Sequence, residues 1–327
     1  MPCRVVPPGQ GRPVDDRRVD GSFSIQRKSG RRQTPPAQGI RTVAVTIHPT
    51  ASLGTRVRLG TDVCIGAGAV VEDDVVLEDR VAIGPHAVVG RFTTVGAGSR
   101  IGLAALVGGE PQIVGWTPVD SCTVIGAGTT IREYVSIHRA KAAGDSTVVG
   151  SGCYLMASSH VAHDCRLGEG VTLVNGALLA GHVEVGDHAF ISGNCVVHQF
   201  VRIGRRAMVR GLTAVGKDVV PFVIVDQTNA VRGLNKVGLR RAGMAPTVIK
   251  ALDRLFRDLF RSSRPVRDAL AAIEDGPMID EVREVVAFVR ASKRGICSTY
   301  SSPARRMQSQ AGPTSETGHP GPDDDGH

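Results

Sequence analysis

Four of the ten histidines in this chain, His160, His163, His182 and His198, fall in one short stretch, within SSHVAHDC, LAGHVEVG and VVHQF. Asp164 directly follows His163. An imidazole with a carboxylate beside it is the expected form of a general base working near neutral pH. Clustered histidines also ligate zinc. A lone histidine is more often a polar residue on a solvated face; four in register beside a carboxylate weaken that reading.

What positions them is a period. From Leu53 to Val215 every sixth residue is Leu, Ile or Val, with Ala143 the only break among 28 positions. Many are followed by glycine, as in Ile65-Gly66, Ile83-Gly84, Val185-Gly186 and Ile203-Gly204. A period of six fits neither an α-helix nor an alternating strand. It fits a β-solenoid of short strands and tight turns, the hexapeptide class of repeat. Three hexads make one triangular coil, so the stretch holds at most about nine coils in a prism roughly 45 Å long. The histidine separations, 22 from His160 to His182 and 16 from His182 to His198, lie close to one coil and should gather the four on one part of the surface.

Three interruptions stand out. Residues 103–122, with the single tryptophan Trp116, and residues 139–147 should leave the prism as loops. The aliphatic phase survives the first, which suggests an insertion length divisible by six. After Pro221 the pattern becomes helical, with Ile249, Leu252, Leu255, Phe256, Leu259 and Phe260 at helical spacing and further helices near 265–274 and 278–293. The expected organisation is a disordered basic tail (1–42), a β-helix (43–222), a helical domain (223–297) and a second disordered tail (298–327).

Lysines and arginines outnumber acids 39 to 31, and ten of them lie between 231 and 267 against Asp253 and Asp258. That run is either a solvated face or a docking surface for an acidic partner. Nucleic acid is disfavoured, because no recognition motif or stacking aromatic accompanies the charge. No apolar run is long enough to cross a bilayer, so no membrane span is expected. Seven scattered cysteines without a CxxC pair suggest reduced thiols. With no apolar signal segment at the N-terminus, the expected location is cytoplasmic.

SSHVAHDCRLG, NGALLAGHVEVGDHAFISG, VVHQFVRIG, IREYVSIHR and LNKVGLRRAG closely resemble the acyl-acyl carrier protein–UDP-N-acetylglucosamine O-acyltransferases, which catalyse the first step of lipid A synthesis. The resemblance runs from about residue 43 to about 297. It implies an all-β left-handed parallel β-helix followed by a small α-helical domain, assembled as a homotrimer with active sites between subunits. It implies transfer of a 3-hydroxyacyl chain from acyl carrier protein to the 3-hydroxyl of UDP-N-acetylglucosamine, with the phosphopantetheine thioester as donor and neither cofactor nor metal. On it, His163 is the catalytic base, Asp164 orients it, and the Gly181 backbone N–H stabilises the oxyanion. His160, His182, His198 and Gln199 match positions that bind sugar, diphosphate or pantetheine. Asn235 and Arg241 match nucleotide contacts, and Gly211 matches the position that sets acyl length. The basic face carrying Arg240, Arg254, Arg257 and Arg261 would receive the carrier protein.

The resemblance also has gaps. The family's PQDLKY loop here reads Pro111-Gln-Ile-Val-Gly-Trp116, which puts Ile113 and Gly115 where an Asp and a Lys contact substrate. Each lost charge-assisted contact would cost about 1.5–3 kcal/mol. Val237 replaces a usual Glu, and Arg210 a usual Gly. Three alternatives therefore stay open: the same chemistry on an aminated nucleotide sugar or another glycan, an inactive trimeric scaffold binding acyl carrier protein, and a zinc hydratase of γ-carbonic-anhydrase type. The last expects a His-x4-His pair, whereas the pairs here are His160-x2-His163 and His182-x5-His188.

Overall fold

The computed structural model describes residues 44–262 and 264–299. The expected tail at 1–42 and all of the second beyond Thr299 lie outside the described residues. Strands mostly two residues long alternate with tight turns, and equivalent strands of successive coils pair in parallel. Cys64 pairs Ala82 and Ile65 pairs Ile83, an offset of three hexads. Three sheets result, beginning at Thr46–Ile47, Ser52–Leu53 and Arg58–Leu59; the second holds nine strands, the number of coils the period allows.

The aliphatic period becomes a set of internal columns. On the first face Ile65, Ile83, Ile101, Ile131, Leu155, Leu173, Ile191 and Val209 stack one above another, all buried. Burying such a side chain contributes about 1.5–3 kcal/mol. The corners demand small residues: a Cβ at Gly150 would lie 2.4 Å from the Gly168 carbonyl oxygen.

Register explains why the period survives the loops. Arg100 pairs Thr130, so this coil is two hexads longer than the regular one; Thr130 pairs Tyr154, so the next coil is one hexad longer. The surplus leaves the prism in whole hexads. The first insertion lies between strands Leu106–Gly109 and Cys122–Ile125, the second between Ser136–His138 and Ser146–Val149. Both open at the corner between the second and third sheets.

The first sheet continues past the expected boundary at 222. Val223–Asp226 pairs in parallel with Met208–Val209, and Ala230–Leu234 returns antiparallel to it. Helices follow as α1 (Lys236–Arg241), α2 (Pro246–Phe260), α3 (Val266–Glu274) and α4 (Asp280–Arg290). The apolar stripe of α2 is buried with Leu270 of α3 and Val285 of α4 in one core. Arg205 of the prism pairs Glu284 of α4 at 2.7 Å. The chain then returns to the prism, where Ser298–Thr299 pairs Ala230–Val231 and buried Asp218 accepts from the Ser292 hydroxyl at 2.8 Å. Cys64, Cys153, Cys165, Cys195 and Cys297 carry free thiols.

Candidate active site

The corner that opens into both insertions also carries the catalytic candidates. Two turn positions recur there in three successive coils as His163-Asp164, Gly181-His182 and Gln199-Phe200, each pair one regular coil from the next. The second residue of each adopts a left-handed backbone, with φ of 62°, 60° and 64°. Asp tolerates that conformation better than most side chains. Stacking therefore places Asp164 beside His182 and His182 beside Phe200, whose rings lie 4.6 Å apart and nearly parallel.

His163 Nδ1–H donates to Asp164 Oδ2 at 2.6 Å. Both side chains are largely buried, and His182 Nε2 lies 3.6 Å from the same carboxylate oxygen. A proton held on Nδ1 leaves the Nε2 lone pair free to accept one. Asp164 is itself fixed, its backbone N–H donating to Thr147 Oγ1 at 2.8 Å. The Lys141 N–H approaches both of its carboxylate oxygens at 3.4 and 3.3 Å.

Gly181 closes the other side. A Cβ there would stand 2.5 Å from His163 Cε1 and 2.7 Å from Nε2, so only glycine lets the imidazole lie against this backbone. At the same turn position in other coils the amide is capped by an acid one coil on: Thr55 donates to Asp73, Thr61 to Asp79 and Glu169 to Asp187. One coil on from Gly181 stands Gln199, and among the described residues no carboxylate caps the Gly181 N–H. That leaves a donor beside the base.

The four histidines do not form one group. His163 and His182 meet edge to face at 5.3 Å around Asp164. His160 pairs instead with Ser136 Oγ, 2.8 Å from its Nδ1, and with His138, whose ring lies 5.2 Å away. His138 is buried, with its Nδ1 on the Glu110 carbonyl and its Nε2 unpartnered among the described residues. Burial, helped by the charges of His138 and His163, pushes His160 down to about 4. Burial lowers His138 and His182 as well. His198 stands apart, its Nδ1 3.2 Å from the Arg294 guanidinium, which also donates to the Gly216 carbonyl. Sequence reasoning missed Ser136, His138, Lys141, Thr147 and Arg294. The first four belong to coils whose length the insertions change, and Arg294 arrives only when the chain returns after α4.

The other candidates spread outward. The Asn235 side chain caps α1, accepting from Gly238 N–H at 3.1 Å and donating to the Arg206 carbonyl at 3.0 Å. It thereby seats the helix that presents exposed Arg240 and Arg241 in its last turn. Gly211 lies on the surface, where an added Cβ would make only an ordinary contact, and neighbouring Arg210 pairs with Asp226 at 2.8 Å. Ile113 and Gly115 stand in the loop, and Val114 between them is fully exposed. On α2, Lys250, Arg254 and Arg257 rim an apolar groove of about 520 Å³ floored by Leu255, Ile273, Met278 and Val282, with exposed Arg261 farther along the helix.

His163, Asp164 and His182 each bring one ligand atom within 4.8 Å of the others, a set that could hold a cation. Cys165, next to Asp164, is no nucleophile. Its Sγ–H donates to the Ala180 carbonyl, and burial pushes the thiol up to about 12. The corner thus offers a base oriented by a carboxylate and, beside it, a backbone amide without a carboxylate cap, the parts that acyl transfer to a hydroxyl needs.

Residues 146–181 match the bacterial transferase hexapeptide family, and residues 218–297 match the family described as UDP-N-acetylglucosamine O-acyltransferase, domain 2. An acyl-[acyl-carrier-protein]–UDP-N-acetylglucosamine O-acyltransferase of Alkalilimnicola ehrlichii is 45% identical over 175 residues, covering 53% of this chain and 68% of that one. One from Sinorhizobium fredii is 40% identical over 194 residues, covering 58% and 72%. This chain belongs to that acyltransferase family. The solved UDP-N-acetylglucosamine acyltransferase of Campylobacter jejuni superposes with a TM-score of 0.74 at 36% identity, covering 78% of this chain and all of that one. The Francisella novicida enzyme gives 0.75 at 31%, covering 80% and 96%. The prism is accordingly the left-handed β-helix of these O-acyltransferases, with the small helical domain at its end. The relatives favour neither the zinc-hydratase nor the scaffold alternative.

Proposed function

We propose that this protein transfers a 3-hydroxyacyl chain from acyl carrier protein to the 3-hydroxyl of UDP-N-acetylglucosamine, the first step of lipid A synthesis. The observation that carries this reading is the His163–Asp164 bond lying against the backbone of Gly181, whose amide no carboxylate among the described residues caps. His163 Nε2 takes the proton of the sugar hydroxyl as its oxygen attacks the thioester carbonyl carbon. The carbonyl π electrons move to oxygen, and the Gly181 N–H stabilises the resulting oxyanion. Collapse expels the phosphopantetheine thiolate, which takes the proton back from His163. Asp164 fixes the tautomer throughout and stabilises the transient imidazolium. Neutral His160, with His182, His198 and Gln199, lines the acceptor and pantetheine side, and Arg241 on the Asn235-capped helix grips diphosphate.

The donor is the thioester of acyl carrier protein, with no further cofactor or metal ion. The acidic carrier docks on Arg240, Arg254, Arg257 and Arg261. The prism assembles as a homotrimer in the cytoplasm. No helix of the described residues is long and apolar enough to cross a membrane.

The deciding assay is acyl transfer from 3-hydroxyacyl carrier protein to UDP-N-acetylglucosamine. His163→Ala should lower kcat by about 10²–10⁴-fold, the usual contribution of a general base. No turnover by the native protein, or full turnover by the variant, would sink the assignment.

A further inference from the structure

The two insertions are tied to each other, and the tie ends at the catalytic carboxylate. The second, Arg-Ala-Lys-Ala-Ala-Gly-Asp over 139–145, has no large apolar side chain to anchor it, and Lys141, Ala143, Gly144 and Asp145 are exposed. It is held instead by the first insertion and its flanks. Gly144 N–H donates to the Asp120 carbonyl, Arg139 N–H to the Gly109 carbonyl, and the Trp116 indole Nε1–H to the Lys141 carbonyl at 2.9 Å. The Trp116 ring lies 5.3 Å from the guanidinium of Arg139, a buried cation that also pairs with Glu110 at 3.2 Å. Lys141 therefore accepts from Trp116 through its carbonyl and donates to the Asp164 carboxylate through its N–H. Asp164 in turn holds His163.

We infer that Trp116 is a positioning residue. Through the Lys141 backbone it holds the Asp164 carboxylate, and so the tautomer and aim of the His163 ring. This rests on His163 being the base. It also gives the altered loop a role: where Ile113 and Gly115 bring no charge to the substrate, Trp116 braces the catalytic pair from behind. Such a brace acts on the chemical step and not on binding, because its contacts run through the Lys141 backbone to the Asp164 carboxylate. Small misplacements of a base are costly to rate.

The test uses the full-length protein with Trp116→Phe, and with Trp116 replaced by 3-benzothienylalanine, which keeps the bicyclic ring and lacks the N–H. Both should lower kcat about 10-fold, with KM for each substrate within about twofold and an unchanged melting temperature. Amide exchange across 139–147, read by mass spectrometry, should quicken in both. A kcat within twofold of the native value would overturn the inference, as would a rate loss that appears in KM. If the native protein transfers nothing, the functional reading fails by itself. The low-field proton resonance of the His163–Asp164 bond then decides the brace: it must move in both variants, and an unmoved resonance overturns it.

Discussion

At the scale of single residues, contact geometry sets the expectations. Gly181→Ala puts a Cβ where the His163 ring now lies, 2.5 Å from Cε1, so the imidazole must swing away from both its donor and its target. We expect kcat to fall by at least ~10²-fold, the order seen on removing one oxyanion donor, while the melting temperature stays close to native. Retained turnover in a steady-state assay would show that the amide and the base do not share a substrate. The buried histidines make a separate prediction about acid. The folded state holds His160 neutral down to about 4, with His138 and His182 lowered as well, whereas unfolded histidine titrates near 6.5. Between those values the unfolded chain binds more protons. Stability is therefore full above about pH 6.5 and is lost as pH falls toward 4. Melting temperatures across that window should decline, and His160→Gln should flatten the decline; an unchanged slope would exclude His160 as a source.

The elements obey an arithmetic of six. Because the insertions take two hexads and then one hexad out of the register, each aliphatic residue re-enters the prism facing inward. Deleting residues 110–121 should therefore leave a folded β-helix by circular dichroism, with acyl transfer abolished. Deleting 110–120 puts the following strands one residue out of phase with the coils behind them, which reverses their inner and outer faces. We expect that variant to be insoluble or markedly less stable, and equal stability of the two deletions would refute the register argument. The same arithmetic explains what the sequence disclosed. The coils, both loops and three of the helices followed from periods; His163 and His182 stood out as histidines clustered near one coil's spacing, Asp164 as the carboxylate beside them, and Gly181 only through the family resemblance. Ser136 and His138 meet His160 across a lengthened coil, and that offset is invisible until the loop is known to leave. Helix α1 is a single short element whose cap, Asn235, reads in sequence as a substrate contact. The continuation of the first sheet past Phe222 was hidden for another reason: Val223–Asp226 pairs with Ala230–Leu234 antiparallel, which does not follow the hexad.

For the whole molecule the organising fact is that one prism edge carries the site while the end of the prism carries the basic helices. Lys250, Arg254 and Arg257 repeat along one face of α2, Arg261 follows as its C-terminal cap, and all four are exposed. Reversing two of them, Arg254→Glu with Arg257→Glu, should raise KM for acyl carrier protein about tenfold or more, leaving KM for the nucleotide sugar and the melting curve unchanged. Added salt should weaken the native enzyme's carrier binding and leave the variant nearly insensitive. A parallel change in both KM values would place the docking surface elsewhere. The helical domain can hold such a partner in a fixed attitude, since the Arg205–Glu284 pair, Asp218–Ser292 and the returning strand Ser298–Thr299 fasten it to the prism. Trp116 is the only indole in the chain and lies on Arg139 at the corner of the candidate site. The enzyme therefore carries its own optical label there: indole emission comes from one chromophore per chain, so quenching or a wavelength shift during a titration reports on that corner alone, without a dye or a mutation.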